Sequence, residues 1–226
     1  MTPTPAQTAV LALLGGLVAL DGTSVGQFMV SRPFVSAALG GLAVGRPMLG
    51  IQAGIVLEAL HLAVLPVGAA KYPEGGPAAV AAGGVFAASQ AAPPVAGSAT
   101  LLVAVLVALA LEWVGGHTVE MMRQLNVRFA GAPPEGLTPG QVARRHGTPI
   151  AVDFLRGAVL TVAGVGVLDL LLGMMDFAGF PEIAVGTVVR LAMVAGLASA
   201  LRLFGRGRYP YFLAGAAAGA AVAWLR

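Results

Sequence analysis

Apolar residues run along this chain in blocks that polar residues only punctuate, and the blocks are of uneven length. Residues 6–20 form the first and predict a helix ending at Asp21-Gly22. A polar break, Thr23 to Pro33, then carries Gln27, Ser31 and Arg32. A proline pushes the residue before it out of the helical region, so Arg32-Pro33 marks a helix start. The next block, Phe34 to Gly45, is too short to cross a bilayer alone, since about 20 apolar residues are needed. The stretch Pro47 to Pro73 begins as an apolar helix, breaks at Pro66, turns through Gly68-Ala69-Ala70 and ends on Lys71-Tyr72-Pro73-Glu74. Ala78 to Ala92 is again short and is closed by Pro93-Pro94. Full-length spans follow at Val95–Val114, Thr148–Met175 and Ile183–Phe204, with a final apolar run from Tyr209 to Arg226. The hydrophilic stretch Gly115–Gly147 separates the first two of these spans and predicts a solvated amphipathic arm.

This pattern predicts an all-α, polytopic helical membrane protein with short re-entrant or broken helices in its N-terminal half. Residues 1–94 form the broken-helix, solute-binding part. Residues 95–226 form scaffold spans that include the arm 115–147, within one integrated membrane unit. Composition agrees: 58% of residues are hydrophobic and 10% charged, against roughly 25% charged in soluble domains. Long Ala/Leu/Val runs argue against the alternating strands of a membrane barrel. The N-terminus lacks the basic region of a cleaved signal peptide, so its apolar run reads as a retained helix. Cysteine is absent, which excludes disulfides and thiolate metal sites. The basic balance comes with no stripe of cations interleaved with aromatics, so no nucleic acid is implied. The arginine-bearing stretches 115–147 and 205–208 are separated by two spans and lie on one side, which the positive-inside bias makes cytoplasmic.

The candidate chemistry sits where charge interrupts apolar sequence. Glu58 lies in the middle of an apolar helix, where a carboxylate is costly unless it faces protein or a watery cavity. His61, three residues on, shares its helix face, and the two form a candidate polar pair for solute hydroxyls. Arg32 caps free carbonyls at the break or pairs with Glu58 or Asp21. Gln27, Gly68, Ala69 and Lys71 complete the candidate set, because Gly/Pro-interrupted segments are where transporters offer backbone dipoles to a solute. Lys71 to Glu74 reads equally as a loop tip at the cavity mouth or an interfacial anchor. Arg190 pairs with Asp169 or Asp176 as a structural contact. No metal or cofactor site and no catalytic constellation is expected, since the chain has no phosphate loop, HExxH motif or Ser-His-Asp set.

Phe28, Arg32-Pro33, Gly40-Gly41, Gly45, Glu58, Leu62, Gly68-Ala69-Ala70 and Pro73-Glu74 occur in an order and spacing that is similar to one family. The sequence resembles the EIIC subunit of the mannose/fructose/sorbose family of bacterial phosphoenolpyruvate-dependent sugar phosphotransferase systems (PTS). Residues 28–76 carry most of the likeness. It departs from the family pattern at Met29 and Ser31, where Gln and His are usual, at Arg46, where an acid is usual, and at Gly196-Leu197-Ala198-Ser199. The resemblance implies a non-catalytic permease subunit in the bacterial cytoplasmic membrane that binds a hexose near the bilayer midplane. It further implies an EIID-type membrane partner, a cytoplasmic EIIB-type phosphocarrier that receives the sugar, and a trimeric assembly. Two other readings remain beside it: a solute-capturing membrane subunit of a vitamin or metal importer, and a transport-inactive structural relative.

Overall fold

The computed structural model describes residues 2–64, 73–90, 97–131, 136–177, 183–205 and 207–224, and no strand occurs among them. The described helices are, in order, α1 (Pro5–Thr23), α2 (Pro33–Ala43), α3 (Pro47–His61), α4 (Gly75–Ser89), α5 (Gly97–Ala130), α6 (Pro139–Met174), α7 (Val185–Ala200) and α8 (Arg208–Trp224). A short 3-10 turn, Leu201–Leu203, extends α7. Four of these helices, α1, α2, α3 and α6, open on proline. The missing N–H costs nothing there, because first-turn amides have no partner within the helix. Thr4 with Gln7 and Thr138 with Gln141 add reciprocal capping boxes to α1 and α6, each satisfying two free amides.

Among the described residues, four helices are long and apolar enough to cross a membrane: Pro5–Thr23, Gly97–Ala130, Pro139–Met174 and Val185–Leu203. At 1.5 Å per residue α5 and α6 reach about 51 and 54 Å, well beyond a hydrocarbon core of about 30 Å. α2 and α4, at about 16 and 22 Å, do not reach across it. The stretch 115–147, expected as a solvated amphipathic arm, is largely helical where it is described. Its first half continues α5 to Ala130, and its last third is the start of α6. The helix survives Gly115-Gly116 because their bare backbone is packed: a Cβ at Gly115 would lie 3.0 Å from Glu74 Oε2 and 3.1 Å from a Leu160 methyl.

α4 is the centre of the molecule. It touches α1, α2, α3, α5 and α6, and its residues from Gly76 to Ser89 are all buried, with Phe86, Val80 and Val85 fully so. A helix apolar on every side belongs in an interior. Close approach of backbones is what permits this: a Cβ at Gly83 would lie 2.7 Å from the Ala37 Cα of α2. Small residues at helix contacts serve the same purpose throughout membrane bundles, where close packing replaces the hydrophobic effect between helices. α8 presents exposed side chains along its described length.

Candidate functional site

The break between α1 and α2 is built by Asp21. Its carboxylate, almost wholly buried at the end of α1, accepts the Phe28 amide at 2.6 Å and the Ser31 amide at 2.8 Å. The intervening chain passes through left-handed backbone at Gly26, Gln27 and Met29. For the two non-glycine residues that conformation costs of the order of 1–3 kcal/mol each, and the bonds to Asp21 and from Ser36 to the Val30 carbonyl help to hold it. The loop delivers Arg32 to the start of α2.

Arg32 pairs with Glu58 of α3. Its Nε donates to Oε1 at 2.9 Å, Nη2 donates to the same oxygen, and the Phe34 amide donates to Oε2 at 3.2 Å. This settles which of the three sequence options Arg32 takes. Glu58 and His61 do not pair with each other. His61, at the end of α3, turns inward: Nδ1 donates to the Leu57 carbonyl at 2.8 Å, and Nε2 lies 3.1 Å from Glu112 Oε2 of α5. The other oxygen, Glu112 Oε1, is buried with no hydrogen-bond partner, and a Cβ at Gly75 would lie 3.4 Å from it.

A second buried cluster adjoins the first. Glu74, at the start of α4, is not an interfacial anchor: it is 5% exposed, and its amide donates to the Glu112 carbonyl at 3.0 Å. Arg156 of α6 grips it with both terminal nitrogens, Nη2 to Oε1 at 2.6 Å and Nη1 to Oε2. The same guanidinium holds Asp153 Oδ1 through Nε at 2.9 Å and donates to Thr118 at 3.0 Å. Thr23 and Ser24, at the end of α1, donate to Asp153 Oδ2. Buried charges need such partners, because an unpaired one costs several kcal/mol.

Between these clusters lies a cavity of about 130 Å³, lined by Arg32, Ser31, His61, Glu74, Gly75 and Thr23 among others, and bordered by Val64 and Pro73. Of the sequence candidates, Arg32 and His61 line it directly and Glu58 stands behind Arg32. Gln27 does not join them; it is exposed and lines a neighbouring cavity with Arg123, Asn126 and Asp153. Gly68, Ala69 and Lys71 lie outside the described residues. Arg190 is exposed and bonds back onto its own helix, to the Gly186 carbonyl at 3.1 Å and Thr187 at 3.5 Å, instead of pairing with Asp169 or Asp176. Arg46, in the place of a usual acid, donates to the Gln90 carbonyl at 2.9 Å and ties the start of α3 to the end of α4.

Glu112, Asp153 and Arg156 were not among the sequence candidates. The signal for them was the one that singled out Glu58: a charge inside or at the edge of an apolar run. Among the described residues, those lining the cavity lie within 1–94, while Glu112, Asp153 and Arg156 support it from beyond residue 94.

The family model that describes the PTS system sorbose-specific IIC component matches residues 5–131. Among solved structures, the cryo-EM structure of the mannose transporter ManYZ in complex with microcin E492 (MceA) is similar, with a TM-score of 0.63 and 19% identity over 97% of this chain and 88% of that one. At that identity the likeness establishes the fold. No curated protein matches the sequence.

Proposed function

The chain belongs to the sorbose-specific IIC family of the PTS, whose model matches more than half of its length, and from that premise we propose that it binds a hexose in the cavity beside Arg32 and His61. It is a multi-pass membrane subunit of a sugar phosphotransferase system. In our reading it releases the hexose to a cytoplasmic EIIB-type phosphocarrier and works beside an EIID-type membrane partner, in a trimeric assembly in the bacterial cytoplasmic membrane. The carrier's phosphohistidine would lose its P–N bond as a P–O bond forms to a sugar hydroxyl, whose proton passes to the freed imidazole. This chain would supply binding and passage, with catalysis left to its partners.

The observation that carries this reading is that Arg32, His61 and Glu74 line one cavity inside an apolar bundle, with Glu112 paired to His61 and Arg156 to Glu74 behind them. Intramembrane ionisable groups are expensive and typically mark a solute path. Carboxylates accept from sugar hydroxyls while Arg and His donate to them, which is the mixture a polyol needs. Glu112 Oε1 is the one acceptor in this cluster lacking a partner, and a solute hydroxyl reaching past Gly75 would meet it. Small-molecule sites commonly enclose about 300–1,000 Å³, so admission of a hexose requires this cavity to widen. The importer reading has no observation in its favour.

The test is phosphoenolpyruvate-dependent uptake of labelled hexoses by cells expressing this chain with its genomic neighbours, compared with Glu58→Gln and His61→Gln. Uptake should require the chain and fall at least tenfold in His61→Gln. The Arg32–Glu58 pair is a third exposed on the Arg side and contributes about 1 kcal/mol or less to stability, so loss of uptake in Glu58→Gln reports on the path, not on folding. Normal uptake in both variants, with protein levels unchanged, would sink the site assignment. No uptake of any hexose by folded wild-type protein would leave a structural, transport-inactive subunit.

A further inference from the structure

The turn that joins α7 to α8 lies in the most one-sidedly charged part of the chain. From residue 183 to 226 the sequence holds five arginines and no acid, and three of them, Arg202, Arg206 and Arg208, belong to this turn. Beside it lies a cavity of about 490 Å³, lined by Leu201, Phe204, Tyr211 and Phe212 and bordered by Arg208. We propose that the turn binds one anionic phospholipid, its phosphate held by Arg208 and Tyr209 and an acyl chain seated in the cavity. The proposal is independent of the hexose reading, since its ligand comes from the bilayer and not along the solute path.

Three features support it. The first is how Arg208 is held. Its Nη1 donates to the Phe204 carbonyl and its Nη2 to the Tyr209 hydroxyl at 3.1 Å, with the guanidinium carbon 4.9 Å from the centre of the Tyr209 ring. These contacts fix the group at the turn but use only two of its five N–H donors. Its Nε is buried and, among the described residues, has no hydrogen-bond partner. The guanidinium is thus short of an acceptor, and phosphate oxygens are acceptors that its planar fork fits. Because the Tyr209 oxygen accepts from Arg208, its own hydrogen remains to donate to the same phosphate. The second feature is position. The helix Val185–Leu203 is long and apolar enough to cross a membrane, so the turn directly after it lies where a chain leaves hydrocarbon for headgroups. Phe204, Tyr209 and Tyr211 are exposed there, at the level where aromatic side chains gather. The third is the match of cavity to ligand. Its volume falls within the roughly 300–1,000 Å³ of small-molecule sites, and its apolar lining suits an acyl chain and not a hydrated ion. A basic pocket at the membrane-facing end of a span is the arrangement that captures anionic headgroups.

The structural alternative is that Arg208 only closes the end of α7 through the Phe204 carbonyl, and the test separates the two. The full-length chain in a neutral detergent is titrated with phosphatidylglycerol, phosphatidylcholine and glycerol 3-phosphate, and bound species are counted by native mass spectrometry. We expect one phosphatidylglycerol per chain, held about tenfold more tightly than phosphatidylcholine and not displaced by glycerol 3-phosphate. Arg208→Gln should weaken that binding about tenfold, the loss of a charge-assisted hydrogen bond. Since Arg208 also holds the turn, Gly207→Leu is the second variant. Gly207 lines the cavity and a Cβ on it would meet nothing within 4 Å, so the fold accepts the side chain while the cavity loses room. It too should weaken phosphatidylglycerol binding about tenfold, with Arg208 untouched. Four results would overturn the proposal. Equal binding of the two lipids by folded wild-type protein would remove the headgroup, and unchanged binding in Arg208→Gln or in Gly207→Leu would remove the assigned site. Displacement by glycerol 3-phosphate would make it a site for soluble phosphoesters, and association of copies that excludes the lipid would make it a protein interface.

Discussion

Removing the Arg156 guanidinium while keeping its stem, as in Arg156→Met, strands two acids at once. Glu74 and Asp153 have side chains only 6% and 3% exposed, so neither recovers its lost donors from water. Arg156 supplies both oxygens of Glu74, Oδ1 of Asp153 and a bond to Thr118. Breaking a buried pair by deleting one partner costs about 3–5 kcal/mol, because it leaves an uncompensated charge. Asp153 retains the Thr23 and Ser24 hydroxyls and Glu74 retains none of this kind, so most of the cost falls on Glu74. Arg156→Met should therefore destabilise the protein by about 3–5 kcal/mol, measured by reversible unfolding in mixed micelles. Arg156→Lys should fall between, since an ammonium cannot hold the two Glu74 oxygens and Asp153 in one plane. The decisive arm is Arg156→Met combined with Glu74→Gln and Asp153→Asn. Neutralising the acids removes the stranded charges, and well-packed replacements of buried ion pairs are often neutral or better. The triple variant should thus be more stable than Arg156→Met alone. A loss below about 1 kcal/mol in Arg156→Met would mean that the acids are solvated, and a triple variant no better than the single would mean that charge is not the cause.

Two further outcomes test the packing and the topology. Gly157→Ala puts a Cβ against the Ala19 Cβ and 2.6 Å from the Gly15 carbonyl oxygen, at the contact of α1 with α6; it should cost about 1–3 kcal/mol in the same unfolding assay, and a neutral effect would show that α1 and α6 are not that close. Since the chain has no cysteine, Val127→Cys, at a position 74% exposed near the end of α5, gives a single labelling site. A membrane-impermeant maleimide should reach it in cells only after permeabilisation, and labelling of intact cells would reverse the assigned orientation.

The amino-acid sequence by itself determined the membrane class, the helix starts and the unevenness of the spans. These are local properties: Arg32-Pro33 ends one conformation and begins another whatever surrounds it, and the length of an apolar block is set along the chain. The blocks 34–45 and 78–92 do appear as the short helices α2 and α4, and α1 and α7 lie where expected to within a few residues. The high cost of charge in apolar sequence also brought Glu58, His61 and Arg32 forward. Only the tertiary structure decided the partners. Sequence spacing suggested Glu58 with His61, because a helix puts residues three apart on one face, but packing turned Glu58 to Arg32 and His61 to Glu112, on two different neighbours. It likewise joined Glu74 to Arg156, which are 82 residues apart, sent Gln27 to a different cavity, and ran α5 on as helix to Ala130. The physical reason is one of range. Backbone sterics and the cost of desolvation act on each residue where it stands, whereas which charge compensates which depends on how closely helices approach, and here that is governed by glycines such as Gly83 and Gly115, whose missing side chains leave no trace in the hydrophobic pattern.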